Sequence, residues 1–248
     1  MPEPQRKLLG MLTPSSNTTL EPVTSAMLAG LPETSAHFGR FKVTEIALSG
    51  QALAQFDLSG PLAAAELLSH ARCQVIGWSG TAASWRGFDT DDALCAAIER
   101  DTGARACTSV LALNEVLQRT GVRRLGLVTP YTSDVQRAIV ANYAQIGVQV
   151  VAERHLGLRD NFSFSEVSAA KLSEMAAAVM NGPVGERPEA VAFLCTNLRG
   201  APLVPALEGE LGVPVYDSVA TVVWKALRLA GVDTRRVTQW GRLFQEAA

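Results

Sequence analysis

The chain has few of the residues from which metal centres and disulfide frameworks are built. Its four cysteines, at positions 73, 95, 107 and 195 of 248 residues, show no CxxC motif and no close pairing. Neither a metal cluster nor a disulfide framework is therefore expected. The three histidines, 37, 70 and 155, are scattered without HExxH-type spacing, so no metal is expected. No apolar run reaches the roughly 18 residues of a membrane span, and residues 1–7 are polar with three charges. A soluble, cytoplasmic protein with no membrane partner is the expectation. An excess of charge is lacking too: 22 basic and 24 acidic residues leave a formal net charge of -2. That gives no electrostatic case for nucleic acid or an anionic membrane. The expected partners are a small molecule and, for a homo-oligomer, a second copy of the chain.

What is present is ordinary globular material, 48 % hydrophobic and 19 % charged, long enough for one large domain or two small lobes. The chain starts with a short apolar strand, KLLGMLT at 7–13, halted by Pro14 and a polar cluster, Ser15-Ser16-Asn17-Thr18-Thr19. That cluster can cap a helix beginning near Leu20. A second strand is expected within 36–46, then a connection to about 59 that is long enough to be a lid, and a helix over 61–72 with Pro61 in its first turn. The third strand, 74–78, runs into Ser79-Gly80-Thr81-Ala82-Ala83-Ser84. A helix at 91–101, a strand at 104–108 and a helix at 110–119 complete the first half. Strands alternating with helices predict an α/β fold with a largely parallel sheet.

From Arg123 the pattern begins again. GMLTPSS from Gly10 is echoed 116 residues later by GLVTPYT from Gly126, Gly80-Thr81 is echoed 115 residues later by Cys195-Thr196, and Ser109-Val110 is echoed by Ser218-Val219. Three echoes in one order predict two pseudo-symmetric lobes. The boundaries read as 1–118 for the first, completed by a C-terminal helix at 219–248, and 119–218 for the second. In the second half helices are expected at 134–146, 165–180, 202–211 and 219–230, and strands at 148–151, 189–194 and 213–216. Ligands of open α/β sheets bind beyond the carboxyl ends of the strands. Loops 14–18, 80–84, 131–133 and 195–197 would then converge on one cleft between the lobes.

One cysteine stands at such a strand end. In VAFLCTNLRG, 191–200, a buried strand runs into Cys195 with a helix close behind, where backbone N–H groups and the helix dipole favour a thiolate or a bound carboxylate. Cys195 is a candidate chemical group; the alternative is a small packed hydrophobe. Cys73, Cys95 and Cys107 read as packing residues, with Cys95 on the buried face of its helix. Trp78 and Trp85 flank the Gly80 loop. Arg86 and Arg199 are candidate cations for a carboxylate, or else solvated surface residues.

Taken in order, TPSSNTT at 13–19, SGTAAS at 79–84, VTPYTSD at 128–134, DNFSF at 160–164, CTNLRG at 195–200 and WGRLF at 240–244 resemble the aspartate/glutamate racemase superfamily. The specific branch is that of maleate cis-trans isomerases and arylmalonate decarboxylases. The resemblance implies two four-stranded α/β lobes around a cofactor-free site. It implies Cys195 as catalytic residue, and a substrate-binding set of Ser16, Asn17, Gly80, Thr81, Ala82, Tyr131, Asn161, Thr196 and Asn197. Asn17 and Asn161 would be carboxylate-binding amides and Tyr131 a hydroxyl donor. Read without the family, Asn17 is a helix cap, Asn161 a turn former and Tyr131 a packing aromatic.

The departures from the family pattern matter as much. Racemases and maleate isomerases of this kind carry a cysteine in each lobe, and the first falls on Gly80. Arylmalonate decarboxylases have glycine there, followed by a Thr-Ser pair of donors, but Ala82 replaces the serine. Losing one such donor typically costs about 2.7 to 4 kcal/mol of transition-state stabilisation; Ser79, Ser84 or a bound water could supply a substitute. Racemisation without a cofactor needs an acid/base group on each face of a planar carbanion, and maleate isomerisation needs a nucleophile and a separate proton donor. Decarboxylation needs one donor. The expected function is therefore a cofactor-independent lyase of the arylmalonate decarboxylase type, acting on a small (di)carboxylic acid through an enediolate, with Cys195 as proton donor. The alternatives are an isomerase of the maleate or racemase type, and a carboxylate-binding protein without catalysis. If the lobes are equivalent, a cysteine introduced at Gly80 should stand opposite Cys195. If Gly80 instead serves a tight turn at positive φ, it should only destabilise the loop.

Overall fold

The structure, a computed structural model, describes residues 6–245. Most of the polar segment 1–7 and the last three residues of the expected helix 219–248 lie outside them. The first half runs β1 (Lys7–Pro14), α1 (Leu20–Leu28), β2 (Thr34–Phe41), α2 (Gly50–Ala54), α3 (Ser59–His70), β3 (Val75–Trp78), α4 (Ala83–Arg86), α5 (Asp89–Thr102), β4 (Arg105–Thr108) and α6 (Ser109–Thr120). The second runs β5 (Arg124–Thr129), α7 (Ser133–Gln145), β6 (Gln149–His155), α8 (Ala169–Val179), β7 (Ala190–Phe193), α9 (Val204–Leu211), β8 (Val215–Asp217) and α10 (Ser218–Leu229).

Two four-stranded sheets result, ordered β2-β1-β3-β4 and β6-β5-β7-β8, with every strand pair parallel. The second order is the first shifted by four strands. The central strands β3 and β7 are buried along their whole length, which is why they read as unbroken apolar runs rather than alternating ones. Register makes the equivalence of the halves specific. Leu12 pairs with Trp78 and Val128 with Phe193. One residue on, Ser79 N–H donates to Leu12 O at 3.2 Å and Leu194 N–H to Val128 O at 3.0 Å. Gly80 and Cys195 are thus the same position of the two sheets.

Helix ends follow local chemistry. Thr108 Oγ1 accepts from Leu111 N–H at 3.0 Å to cap α6, and Asp217 Oδ1 accepts from Val219 N–H at 2.8 Å to cap α10. These are the Ser109 and Ser218 echoes of the sequence, each a strand ending in a cap. Helix α10 packs on α6, β3 and β4 of the first sheet, and Thr221 Oγ1 donates to Ser109 O at 2.9 Å.

Several expectations need correction. The C-terminal segment is not one helix over 219–248: α10 ends at Leu229, Gly231 takes φ +73°, and among the described residues only short 3-10 turns, Thr234–Arg236 and Arg242–Gln245, follow. Strand β2 stops at Phe41, and the connection to α3 contains α2, capped by Ser49 Oγ accepting from Ala52 N–H at 3.3 Å. Helix α8 begins at Ala169 behind a 3-10 turn, Phe162–Glu166, and β6 reaches His155 instead of 151. The connection after β2 is tied to the second lobe. Glu45 and Asp160 form an antiparallel bridge, Ile46 N–H donates to Arg159 O at 2.9 Å and Asn161 N–H to Thr44 O at 3.0 Å. Among the described residues no helix is long and apolar enough to cross a membrane.

Candidate active site

The loops after β1, β3, β5 and β7 meet, and hydrogen bonds between side chains and backbone join them. Asn17 Nδ2 donates to Thr196 Oγ1 at 3.2 Å, and Thr196 Oγ1 donates to Ser79 O at 3.2 Å. Thr81 Oγ1 and Tyr131 Oη are 2.7 Å apart. The Tyr131 hydroxyl hydrogen-bonds the Cys195 thiol, and Asn197 N–H donates to Cys195 Sγ at 3.4 Å. Asn161 Nδ2 donates to Ser16 Oγ at 2.8 Å, which itself donates to Val43 O at 2.7 Å. All of these side chains are buried except Ser16, which is half-buried. The sequence-derived residues Ser16, Asn17, Thr81, Tyr131, Asn161, Cys195, Thr196 and Asn197 therefore belong to one hydrogen-bonded cluster, with Gly80 and Ala82 on its backbone.

The cluster refines what several of them do. Asn17 Oδ1 accepts from Thr19 and Leu20 N–H, both at 2.9 Å, so it caps α1 while Nδ2 reaches the second lobe. Asn197 is fully engaged: Oδ1 accepts from Thr18 N–H at 3.0 Å, and Nδ2 donates to Asn161 O at 2.5 Å. Tyr131 is both a hydroxyl group and a packing aromatic, its ring 5.0 Å from that of Trp85 and 5.7 Å from that of Phe164. Burial first, and then the neighbouring Cys195, hold its phenol well above the usual range, so it stays a donor.

Cys195 does not fit the thiolate expectation. Burial pushes its thiol up to about 11, outweighing the Tyr131 hydroxyl and the Asn197 and Leu198 N–H groups that pull the other way. Helix α9 begins only at Val204, after an irregular loop and a 3-10 turn at Ala201–Leu203, so its dipole is too far away to stabilise an anion; that effect fades within a turn. The group is a neutral S–H. Burial also pushes Cys73 up to about 11 and Cys107 to about 12, and raises Cys95, which is half-buried rather than fully buried. Arg86 donates to Phe56 O at 3.0 Å and lies over the Phe56 ring, and Arg199 is exposed; neither brings a cation to the cluster.

Gly80 is not at positive φ. Its smallness answers a close approach: a Cβ there would lie 2.1 Å from Trp78 Cζ2 and 2.4 Å from Cε2. A cysteine at Gly80 would meet the indole before it could face Cys195, so a second thiol by that single change requires the indole to shift. Of the substitutes for the serine missing at Ala82, Ser84 Oγ donates to Thr81 O at 2.6 Å inside α4 and is unavailable, whereas Ser79 Oγ is buried without a partner. Sequence reasoning missed Asp217. This buried carboxylate accepts from Val219 and Ala220 N–H through Oδ1 and so caps α10 behind the Cys195 loop, while Oδ2 has no partner; burial raises it to about 7. Its signal was the Asp-Ser pair directly before the helix, an N-cap pattern.

The geometry can be set beside known proteins. The family model for arylmalonate decarboxylase matches residues 58–244. The arylmalonate decarboxylase of Bordetella bronchiseptica is 30 % identical over 174 residues, 70 % of this chain and 72 % of that protein. The maleate isomerase of Geobacillus stearothermophilus is 25 % identical over 236 residues, 91 % of this chain and 92 % of that one. A maleate cis-trans isomerase of Nocardia farcinica, solved with a covalently bound succinylcysteine intermediate, has a TM-score of 0.85 at 24 % identity, covering 97 % of this chain and 99 % of its own.

Proposed function

Because the chain belongs to the arylmalonate decarboxylase family of cofactor-independent enzymes, we propose that it decarboxylates a small malonate-type acid, with Cys195 protonating the enediolate. The reading rests on one observation: of the two equivalent strand ends, one carries a thiol and the other a glycine. One acid at one face suffices for protonation after loss of CO2, and is one too few for racemisation.

The steps follow from the groups in place. Ser16 Oγ, Asn17 Nδ2, Asn161 Nδ2 and Thr196 Oγ1 exchange their hydrogen bonds within the protein for the carboxylate that is retained. The other carboxylate sits away from water, where its charge is poorly solvated. The bond from Cα to that carboxylate breaks, CO2 leaves, and the electron pair stays on Cα, delocalised into the retained carboxylate as an enediolate. The hydroxyls of Thr81 and Tyr131 and the N–H groups of Thr81, Ala82 and Thr196 stabilise this developing charge, and Asn197 braces the loop. Cys195 S–H then gives its proton to Cα and regains one from water. A thiol raised to about 11 carries that proton throughout the neutral range, which suits a donor and not a nucleophile.

The relatives named maleate isomerase, which match over most of the chain, favour a second reading in which Cys195 adds to a cis double bond. Proton NMR in D2O with maleate and substituted malonates, run on the parent protein and on Cys195→Ala, separates the two. Monoacid deuterated at Cα and formed only by the parent supports decarboxylation. Fumarate lost on the same substitution replaces it with isomerisation, and no turnover of any acid leaves a carboxylate-binding protein.

A further inference from the structure

We propose that Ser133, His155 and Glu153 form a second nucleophilic site, at the edge of the second sheet and outside the Cys195 cluster, that hydrolyses small activated esters through an acyl-serine. The inference does not depend on the decarboxylase reading.

The order of the hydrogen bonds carries it. Glu153 Oε2 lies 2.8 Å from His155 Nδ1, and His155 Nε2 lies 2.9 Å from Ser133 Oγ. An ionised carboxylate can only accept, so Nδ1 carries the ring proton, Nε2 offers its lone pair, and the Ser133 hydroxyl donates to it. That is the tautomer a general base needs to take a proton from a serine. The backbone holds the three groups in this order. Glu153 and His155 stand two residues apart on β6, an edge strand, and so share a face. The turn from β5 into α7 is pinned to the exit of β6, where Gly157 N–H donates to Tyr131 O at 3.0 Å and Leu158 N–H to Pro130 O at 2.8 Å. Helix α7 begins just beyond, at Ser133. Tyr131 turns into the buried cluster, whereas Ser133 is exposed, so a small ester reaches it without entering the cleft. The first lobe offers an internal contrast. Ser35 Oγ and His37 Nε2 are 3.0 Å apart on β2, but among the described residues no carboxylate bonds the His37 ring to fix its tautomer.

The chemistry follows from these positions. Ser133 Oγ attacks the acyl carbon while its proton passes to His155 Nε2, and Glu153 stabilises the imidazolium. The ester C–O bond then breaks, and the leaving oxygen takes that proton from His155. Water next adds its oxygen to the acyl carbon and gives a proton to His155; the bond to Oγ breaks and Oγ regains the proton. Ester and water have become carboxylic acid and alcohol. Oxyanion stabilisation limits the substrate class. The donors at hand are the Asp134 and Val135 N–H groups in the first turn of α7, and the Asp134 carboxylate already accepts from both. The substrate class is therefore the ester whose leaving group is a phenol or an enol, which departs with little help, and not the alkyl ester.

The test uses the full chain carrying Cys195→Ala, so that no thiol in the cleft reacts. p-Nitrophenyl acetate serves as the ester and diisopropyl fluorophosphate as an irreversible label. A single label, mapped by mass spectrometry to Ser133, and steady hydrolysis of the ester are expected. Adding Ser133→Ala or His155→Gln should abolish the label and lower hydrolysis at least about 100-fold, and adding Glu153→Gln should lower hydrolysis at least about 10-fold. Ser35→Ala should change neither. A label absent from Ser133 or found on another residue overturns the proposal, as does hydrolysis that survives Ser133→Ala, because His155 would then act alone. Full hydrolysis in Glu153→Gln, or its loss in Ser35→Ala, overturns it as well.

Discussion

The loops after β3 and β7 start from the same strand position and arrive at different chemistry. Each strand ends in an aromatic residue, Trp78 in one and Phe193 in the other, and each aromatic lies under a glycine of the loop that follows. In the first lobe that glycine is Gly80, two residues on. In the second it is Gly200, seven residues on, where a Cβ would be 2.9 Å from Phe193 Cγ and 2.9 Å from Asp217 Oδ2. The second lobe thus packs its aromatic against a position remote from the cluster and leaves position 195 free for a thiol. In the first lobe the aromatic consumes that position. A fold duplicated almost strand for strand becomes a one-sided site by the choice of which loop residue is made small.

Four changes would break or sharpen this contrast. Cys195→Ala removes the only side-chain acid at either position and should lower kcat by about 10³ to 10⁴-fold, in the range of a general acid, with the thermal midpoint nearly unchanged. Tyr131→Phe leaves Thr81 and Cys195 without their shared hydroxyl partner and should cost about 10² to 10³-fold in kcat, as for an oxyanion donor; steady-state rates on the same malonate measure both. The next effect is on stability. Each lobe holds one buried acid raised by burial to about 7, Asp91 on α5 and Asp217 at the cap of α10. The folded chain keeps these protons where the unfolded chain has released them. Their stabilisation is therefore complete below about pH 4 and is lost as pH rises through about 7, on the order of 1 kcal/mol per pH unit for each acid. Asp217→Asn, which retains a good cap, should roughly halve that slope in urea denaturation at pH 5, 6 and 7. Gly200→Ala, the second-lobe counterpart of a Cβ placed at Gly80, should destabilise by about 1 to 3 kcal/mol through contact with Phe193 and Asp217, measured in the same urea titration.

Much of this architecture was legible in the amino-acid sequence because its signals are local. The echoes at Gly10 and Gly126, Gly80 and Cys195, and Ser109 and Ser218 mark strand ends and caps, and the sheets place them in equivalent register. The cluster was legible for the same reason, since strand-end loops must meet if the lobes face each other. What escaped depends on where side chains turn. Alternation along β3 says which face Trp78 starts on, but not that its ring doubles back over Gly80, and the glycine was open to reading as a turn residue. The thiolate expected at Cys195 counted on the dipole of a helix that the sequence already placed at 202–211; across that gap the dipole has faded, and burial, which no local pattern reveals, decides the thiol's state. Helix α4 is a single turn without a hydrophobic period, and Asn17 and Asn197 give no hint in sequence that they join the lobes.

The most direct measurement is the configuration of the α-carbon formed when the parent protein decarboxylates an α-aryl-α-methylmalonate in D2O, read by chiral chromatography with mass detection of the label. A single enantiomer carrying one deuterium is expected from a site with one thiol and a glycine at the equivalent position. A racemic labelled product would contradict it, because a second donor would then have to act from the face where Gly80 stands.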